Sequence, residues 1–306
     1  MRGFDGTTMQ FAKIEKQITA VVLVGFAVAI VGMAIRLDRS SAKLSETASL
    51  QATIPHPVLG FDRNDYPGDD ALPALRRTFS FSSYWLNNPP GANRNSWLGK
   101  RDVLARNDFG YLVLFNGRAS AELKSEAAAA RLGASDANAA TVSAARENFP
   151  EGTVIFLDQE EGGRMLPAQK AYIYAWLDGV KAAGFRGGIY CSAIAVNDGG
   201  EEVMTAEDIR EHANGRAIVF FVYNDACPPA PGCSYPPNAP RPSASGFAQA
   251  EVWQFAQSPR RREYTQRCAA TYNADGDCDP PGASGAGALD LDLDSANSAD
   301  PSNGRR

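Results

Sequence analysis

Thr153-Val154-Ile155-Phe156-Leu157 is a run of five β-forming or apolar residues without a polar interruption, and it ends abruptly in Asp158-Gln159-Glu160-Glu161-Gly162-Gly163. A strand apolar at consecutive positions must be covered on both faces, and few folds do that. Side chains alternate along a strand, so Asp158 and Glu160 share one face while Gln159 and Glu161 take the other. Two carboxyl groups are therefore expected side by side where a buried strand leaves the core. Like charges so close cannot both ionise freely, so one should keep its proton near neutral pH. A protonated acid beside an ionised one is suited to cleaving a glycosidic bond. The alternative is that both acids pair with Arg or backbone donors and only shape the loop.

Other apolar runs follow the same rhythm. Expected strands cover residues 57–62, 79–86, 111–115, 153–157, 188–192, 217–223, 252–256 and 289–294. Between the early ones lie helical stretches at 96–107, 122–148 (broken at Gly133), 165–183 and 201–213. Tyr172, Trp176 and Val180 recur every fourth residue, a stripe better suited to core packing than to ligand binding. After residue 223 the helical pattern stops, and the connections become rich in Pro, Ser and Gly. Strand–helix alternation implies parallel strands with helical crossovers. Eight strands then suggest an irregular TIM-type (β/α) barrel whose last strands lack helices.

Composition narrows the chemistry. The 306 residues carry a net charge of −5, and the one basic cluster is Arg260-Arg261-Arg262, so nucleic acid is not an expected partner. Only two histidines occur, His56 between two prolines and His212 in a polar helical stretch. A Ser-His-Asp triad or a His-rich metal centre is thereby disfavoured, which leaves acid–base work to carboxyl groups and tyrosines. No cofactor is expected.

At the N-terminus, residues 1–16 read as a cytoplasmic segment and 17–36 as a membrane span, because Ile18 to Ile35 is eighteen residues without a charge. An uncleaved signal-anchor is favoured over a signal peptide cut after Ala42, and either would export the rest. Residues 37–54 form a tether, 55–296 the barrel domain and 297–306 a disordered tail. The five cysteines suit an oxidising compartment: Cys227 with Cys233 and Cys268 with Cys278 would staple two helix-free loops, leaving Cys191 free in a strand.

Several motifs together resemble a known family. Gly60-Phe61-Asp62, Asp158-Gln159-Glu160, Trp253-Gln254-Phe255 and Leu289-Asp290 fall on the first, fourth, seventh and eighth strands. In that order they resemble family 25 glycoside hydrolases, the lysozyme-like muramidases, whose irregular barrel also loses its late helices. The Gly-Phe-Asp opening, Tyr66-Pro67-Gly68 and Gly188-Ile189-Tyr190-Cys191-Ser192 are more similar still to a bacterial domain of unknown function (number 1906) described as glycoside-hydrolase-like. The likeness spans residues 57–295. It implies Glu160 as general acid, with Asp158, Asp62 and Asp290 positioning the sugar or stabilising its developing positive charge. The chain departs from the pattern at Glu161, in the series Asp290, Asp292 and Asp294, and in a long insertion with two cysteines.

The expected site thus comprises Glu160, Asp158 and Asp62 as catalytic groups, with Asp290, Asp292, Tyr84, Tyr190, Trp253 and Gln254 binding substrate. Trp85 could also serve as a platform for a sugar ring. The expected partner is a cell-envelope glycan such as peptidoglycan, and an N-acetyl group on it could itself attack, oriented by Asp158. Two other classes compete: a barrel that binds glycan without turnover, and a metal-dependent phosphodiester hydrolase using the Asp290 series with Asp62. A calcium loop over Asn273, Asp275, Asp277 and Asp279 has its Gly and closing Glu misplaced.

Overall fold

The computed structural model describes residues 56–226, 236, 238–257 and 289–305. The expected membrane span, the tether, the four loop cysteines, the calcium-like loop and the Arg260–Arg262 cluster lie outside the described residues. Among the described residues no helix is long and apolar enough to cross a membrane.

Eight strands close into a barrel in the order β1 (Val58–Asp62), β10 (Asp292–Ala296), β9 (Ala250–Ala256), β8 (Val219–Tyr223), β5 (Arg186–Ser192), β4 (Val154–Asp158), β3 (Gly110–Asn116) and β2 (Phe81–Trp85). Seven run parallel. β10 alone is antiparallel to both its neighbours, β1 and β9. Helices α1 (Leu72–Leu75), α2 (Arg101–Arg106), α3 (Glu126–Arg146), α4 (Pro167–Ala182) and α5 (Thr205–Glu211) accompany the earlier strands, whereas β9 and β10 have no adjacent α-helix among the described residues. The expected architecture is the observed one.

Alternation explains how the interior is filled. Phe81 and Phe156 point inward, and each ring occupies the place a side chain would need at a neighbouring glycine. A Cβ on Gly60 would stand 2.2 Å from the Phe81 ring, and one on Gly188 2.4 Å from the Phe156 ring. Phe221 meets Phe156 edge-on at 6.0 Å between centroids. The barrel is therefore packed below its mouth.

Four expectations need revision. Gly133 does not break a helix: α3 runs through it because its bare Cα lets the Tyr172 backbone of α4 come close, and a Cβ there would stand 2.2 Å from the Tyr172 carbonyl oxygen. The helix expected over 201–213 begins only at Thr205. Ahead of it, β6 (Val196–Asp198) and β7 (Glu201–Val203) form a hairpin around Gly199 and Gly200, both at positive φ. The last barrel strand starts at Asp292, so Leu289 and Asp290 precede it. Finally, the tail expected to be disordered is folded: Ser302 is fully buried, accepts from the Val154 amide through its carbonyl (2.8 Å) and donates its own amide to Tyr111 (2.9 Å).

Candidate active site

Each of the eight barrel strands contributes one residue to a single cleft of about 140 Å³: Asp62, Trp85, Leu114, Asp158, Tyr190, Phe221, Gln254 and Asp292. Loop residues Asn64, Pro90, Glu160 and Gln257 complete its lining. For the seven parallel strands this is the C-terminal end, where loops build the functional face of such barrels. β10 arrives from the other direction, so it is the beginning of that strand that reaches the cleft. Direct pairing of Asp62 with Asp292 across β1 and β10 follows from the antiparallel register.

Parity along the strands sorts the remaining candidates. Tyr84 neighbours the inward Trp85, and so faces outward. It is fully buried against Trp97, Tyr111 and Phe149, and its hydroxyl donates to Glu147. Trp253 likewise neighbours Gln254; it packs on Phe255 and donates its indole N–H to the Asn224 carbonyl at 3.0 Å. Neither lines the cleft, so the expectation that they contact substrate is corrected. Trp85, Tyr190 and Phe221 are the aromatic residues that do line it. Asp290 borders an adjoining hollow of about 240 Å³ together with Asp62, Arg63, Asn64, Asp65 and Asp292.

The polar groups form a linked set. Gln254 donates from Nε2 to Asp62 Oδ2 at 2.8 Å, while its Oε1 accepts from the Tyr190 hydroxyl at 2.8 Å and from Gln257 at 2.9 Å. Asp62 is only 7% exposed; burial, with a smaller push from Glu160, lifts its pKa to about 6 against the hydrogen bond from Gln254. Asp158 is 6% exposed, with Oδ1 buried and without a partner. Burial, then the charges of Glu160 and Asp62, hold its carboxyl well above the usual range.

Glu160 is exposed at the rim. Its backbone carbonyl is held by the Tyr223 hydroxyl at 2.8 Å. The resemblance implies Glu160 as the general acid, yet the burial that raises a carboxyl pKa falls on Asp158 instead. Glu161 turns away, its carboxylate accepting from the Ser120 amide and hydroxyl and from Gln169 Nε2.

Beneath the cleft lies Asp294, fully buried and opposite Gly60. Neither of its oxygens has a hydrogen-bond partner. Burial, then the charges of Asp62 and Asp292, raise its carboxyl far above the ordinary value, so it is held in the protonated form. The Asp290, Asp292 and Asp294 series does not gather around a cation: among the described residues no three His, Cys, Asp or Glu side chains are grouped to hold one.

Arg63 was not anticipated. Its Nε and Nη1 are buried without acceptors, burial lowers its pKa, and Asp65 and Asp290 oppose that. Its position directly after Gly60-Phe61-Asp62 was the available signal. Cys191, expected to be free in a strand, is free and buried in β5.

No family model matches the chain, and no curated protein matches it. Solved structures with similar folds include an uncharacterized protein of B. stearothermophilus (18% identity, 78% of this chain and 95% of that one, TM-score 0.48). A Tat-secreted protein of Mycobacterium tuberculosis in complex with L-tartrate is similar at 13% identity over 79% of this chain and 95% of that one, with a TM-score of 0.47. The Clostridium perfringens spore cortex lytic enzyme is similar at 14% identity over 79% of this chain and 68% of that one, with a TM-score of 0.46.

Proposed function

We propose that the chain is an exported glycoside-hydrolase-like barrel whose cleft hydrolyses a cell-envelope polysaccharide such as peptidoglycan by carboxylate acid–base chemistry. One observation carries this reading: eight strands each deliver a residue to one cleft in which two buried carboxyl groups, Asp62 and Asp158, lie beside the exposed carboxyl of Glu160. Among these three acids only Glu160 is exposed, which supports it as the group that would protonate a glycosidic oxygen. Asp62, ionised above about pH 6, would stabilise the positive charge that develops on the sugar ring. Asp158 Oδ1 is an acceptor left open for the amide N–H of an N-acetyl group, which would orient that group for attack. Trp85 and Tyr190 would bracket the sugar. The apolar run at 17–36 would hold the barrel at the outer face of the membrane or be removed on export.

The engagement of Asp62 by Gln254 favours a second reading, a barrel that binds glycan without turnover, because a carboxylate already bonded is a poorer catalyst. Glu160→Gln separates the two. If the site is catalytic, release of reducing ends from purified peptidoglycan should fall at least ~100-fold while pelleting with the polymer stays within about twofold. Absence of any release by the unsubstituted chain, with pelleting intact, would favour the binding barrel.

A further inference from the structure

We propose that a second hollow, at the opposite end of the barrel from the cleft, binds a small amphiphilic anion: an apolar body carrying one carboxylate, sulfonate or phosphate group. This cavity, of about 570 Å³, is bounded by the last turns of α4, the start of β5 and the segment leading into β8. Cavities of that size are ordinary for small organic ligands. Its floor is apolar. Leu177 and Phe185 are buried there, and Ile218 and Val219 are half-buried.

Charge is distributed unevenly around this floor. The one carboxylate, Asp178, is already bonded by both arms of the Arg216 guanidinium, each at 2.8 Å, and Arg216 also lies over the Tyr174 ring at 5.0 Å. Lys181 and Arg186 border the same hollow and are exposed, and their side chains make no hydrogen bond or ion pair with any described residue, although the charge of Lys181 reaches Asp178 and helps to lower its pKa. Two cations without a bonded partner thus stand at the lip of an apolar cavity. An anion there would face two donors of opposite charge, with Asp178, the one carboxylate of the lining, bonded to Arg216, while its apolar part would cover surface that water now wets. An inorganic anion would gain only the first of these, and a neutral amphiphile only the second. The ligand class follows from needing both.

The test uses the full chain and 8-anilinonaphthalene-1-sulfonate as a fluorescent probe. One saturable site is expected, and the double charge reversal Lys181→Glu/Arg186→Glu should weaken it at least tenfold with an unchanged circular dichroism spectrum. Neutral N-phenyl-1-naphthylamine should change less than twofold. Dodecyl phosphate below its micelle concentration should displace the probe; inorganic phosphate at the same concentration and vesicles of dioleoyl phosphatidylglycerol should not. Amide resonances of Gly187 and Gly215 should shift on binding, and those of Asp62 and Gln254 should stay. Equal affinity in the double variant, displacement by inorganic phosphate or by vesicles alone, or shifts confined to the cleft would each overturn the proposal. The single Lys181→Gln substitution, which removes one exposed charge, guards against a folding defect and should weaken binding about threefold.

Discussion

Asp62, Asp158 and Asp294 show how a buried carboxyl group can be a cost that the fold tolerates. Asp62 titrates near 6 in the folded chain and near 3.8 when unfolded. Between those values the folded state holds more protons, so stability falls as pH rises through the window. Its magnitude, at ~1.4 kcal/mol per unit, is about 3 kcal/mol once Asp62 is fully ionised. Asp62→Asn should therefore match the unsubstituted chain at pH 4 and exceed it by up to ~3 kcal/mol at pH 7.5, read from urea denaturation. A gap that was constant with pH would show that Asp62 does not titrate as described. The acids themselves were legible in the sequence because alternation puts Asp158 and Glu160 on one face. Their division of roles was not. Burial depends on which side of the closed ring each group meets, and that is a property of neighbouring strands rather than of Asp158-Gln159-Glu160 itself.

Among the elements, strands were easier to read than helices. Runs such as Tyr111 to Phe115 and Val154 to Leu157 are apolar at every position because both faces of a barrel strand are covered, and that signature has few rivals. The hairpin at 196–203 carries three acids and two glycines, with a valine only at each end, so no apolar run marks it. Gly133 misled for a different reason: glycine weakens an isolated helix, yet here the missing Cβ is what allows α3 and α4 to touch. Gly179 serves the same contact from the other side, where a Cβ would lie 2.7 Å from that of Ala137. Buried Asp136 adds a polar tie, accepting from the Tyr172 hydroxyl at 2.9 Å and from Arg118 at 2.8 and 3.0 Å. Gly133→Ala should consequently lower stability by about 1–3 kcal/mol, although helix propensity alone would raise it by up to ~1 kcal/mol. Thermal melting decides between these signs.

At the scale of the molecule, the two ends of the barrel are built differently. The cleft end is open and acidic, whereas the opposite end is crossed by the chain after β10. That segment reads as polar in sequence, because its function is to supply backbone and side-chain acceptors rather than apolar surface. Asp300 Oδ1 accepts from the Tyr111 amide at 3.0 Å, Ser302 Oγ from the Val113 amide at 2.8 Å, and the Ser302 carbonyl from the Val154 amide at 2.8 Å. Arg101 holds the Gly304 carbonyl at 2.8 Å, and Gly110 is bare where the Ala299 carbonyl passes. A parallel barrel leaves amides at the beginnings of its strands that the ladder does not pair, and burying them unpaired costs about 1–3 kcal/mol each. Ser302→Ala strands one such amide, so stability should fall by that amount, read as a lower urea midpoint with an unchanged slope. Ending the chain at Asn297 strands three at once and should cost more than the single substitution. If the shortened chain instead kept the original midpoint, the segment would be an ornament on a barrel already closed; if it unfolded far more readily, the last residues would be as much a part of the ring's stability as β10 itself.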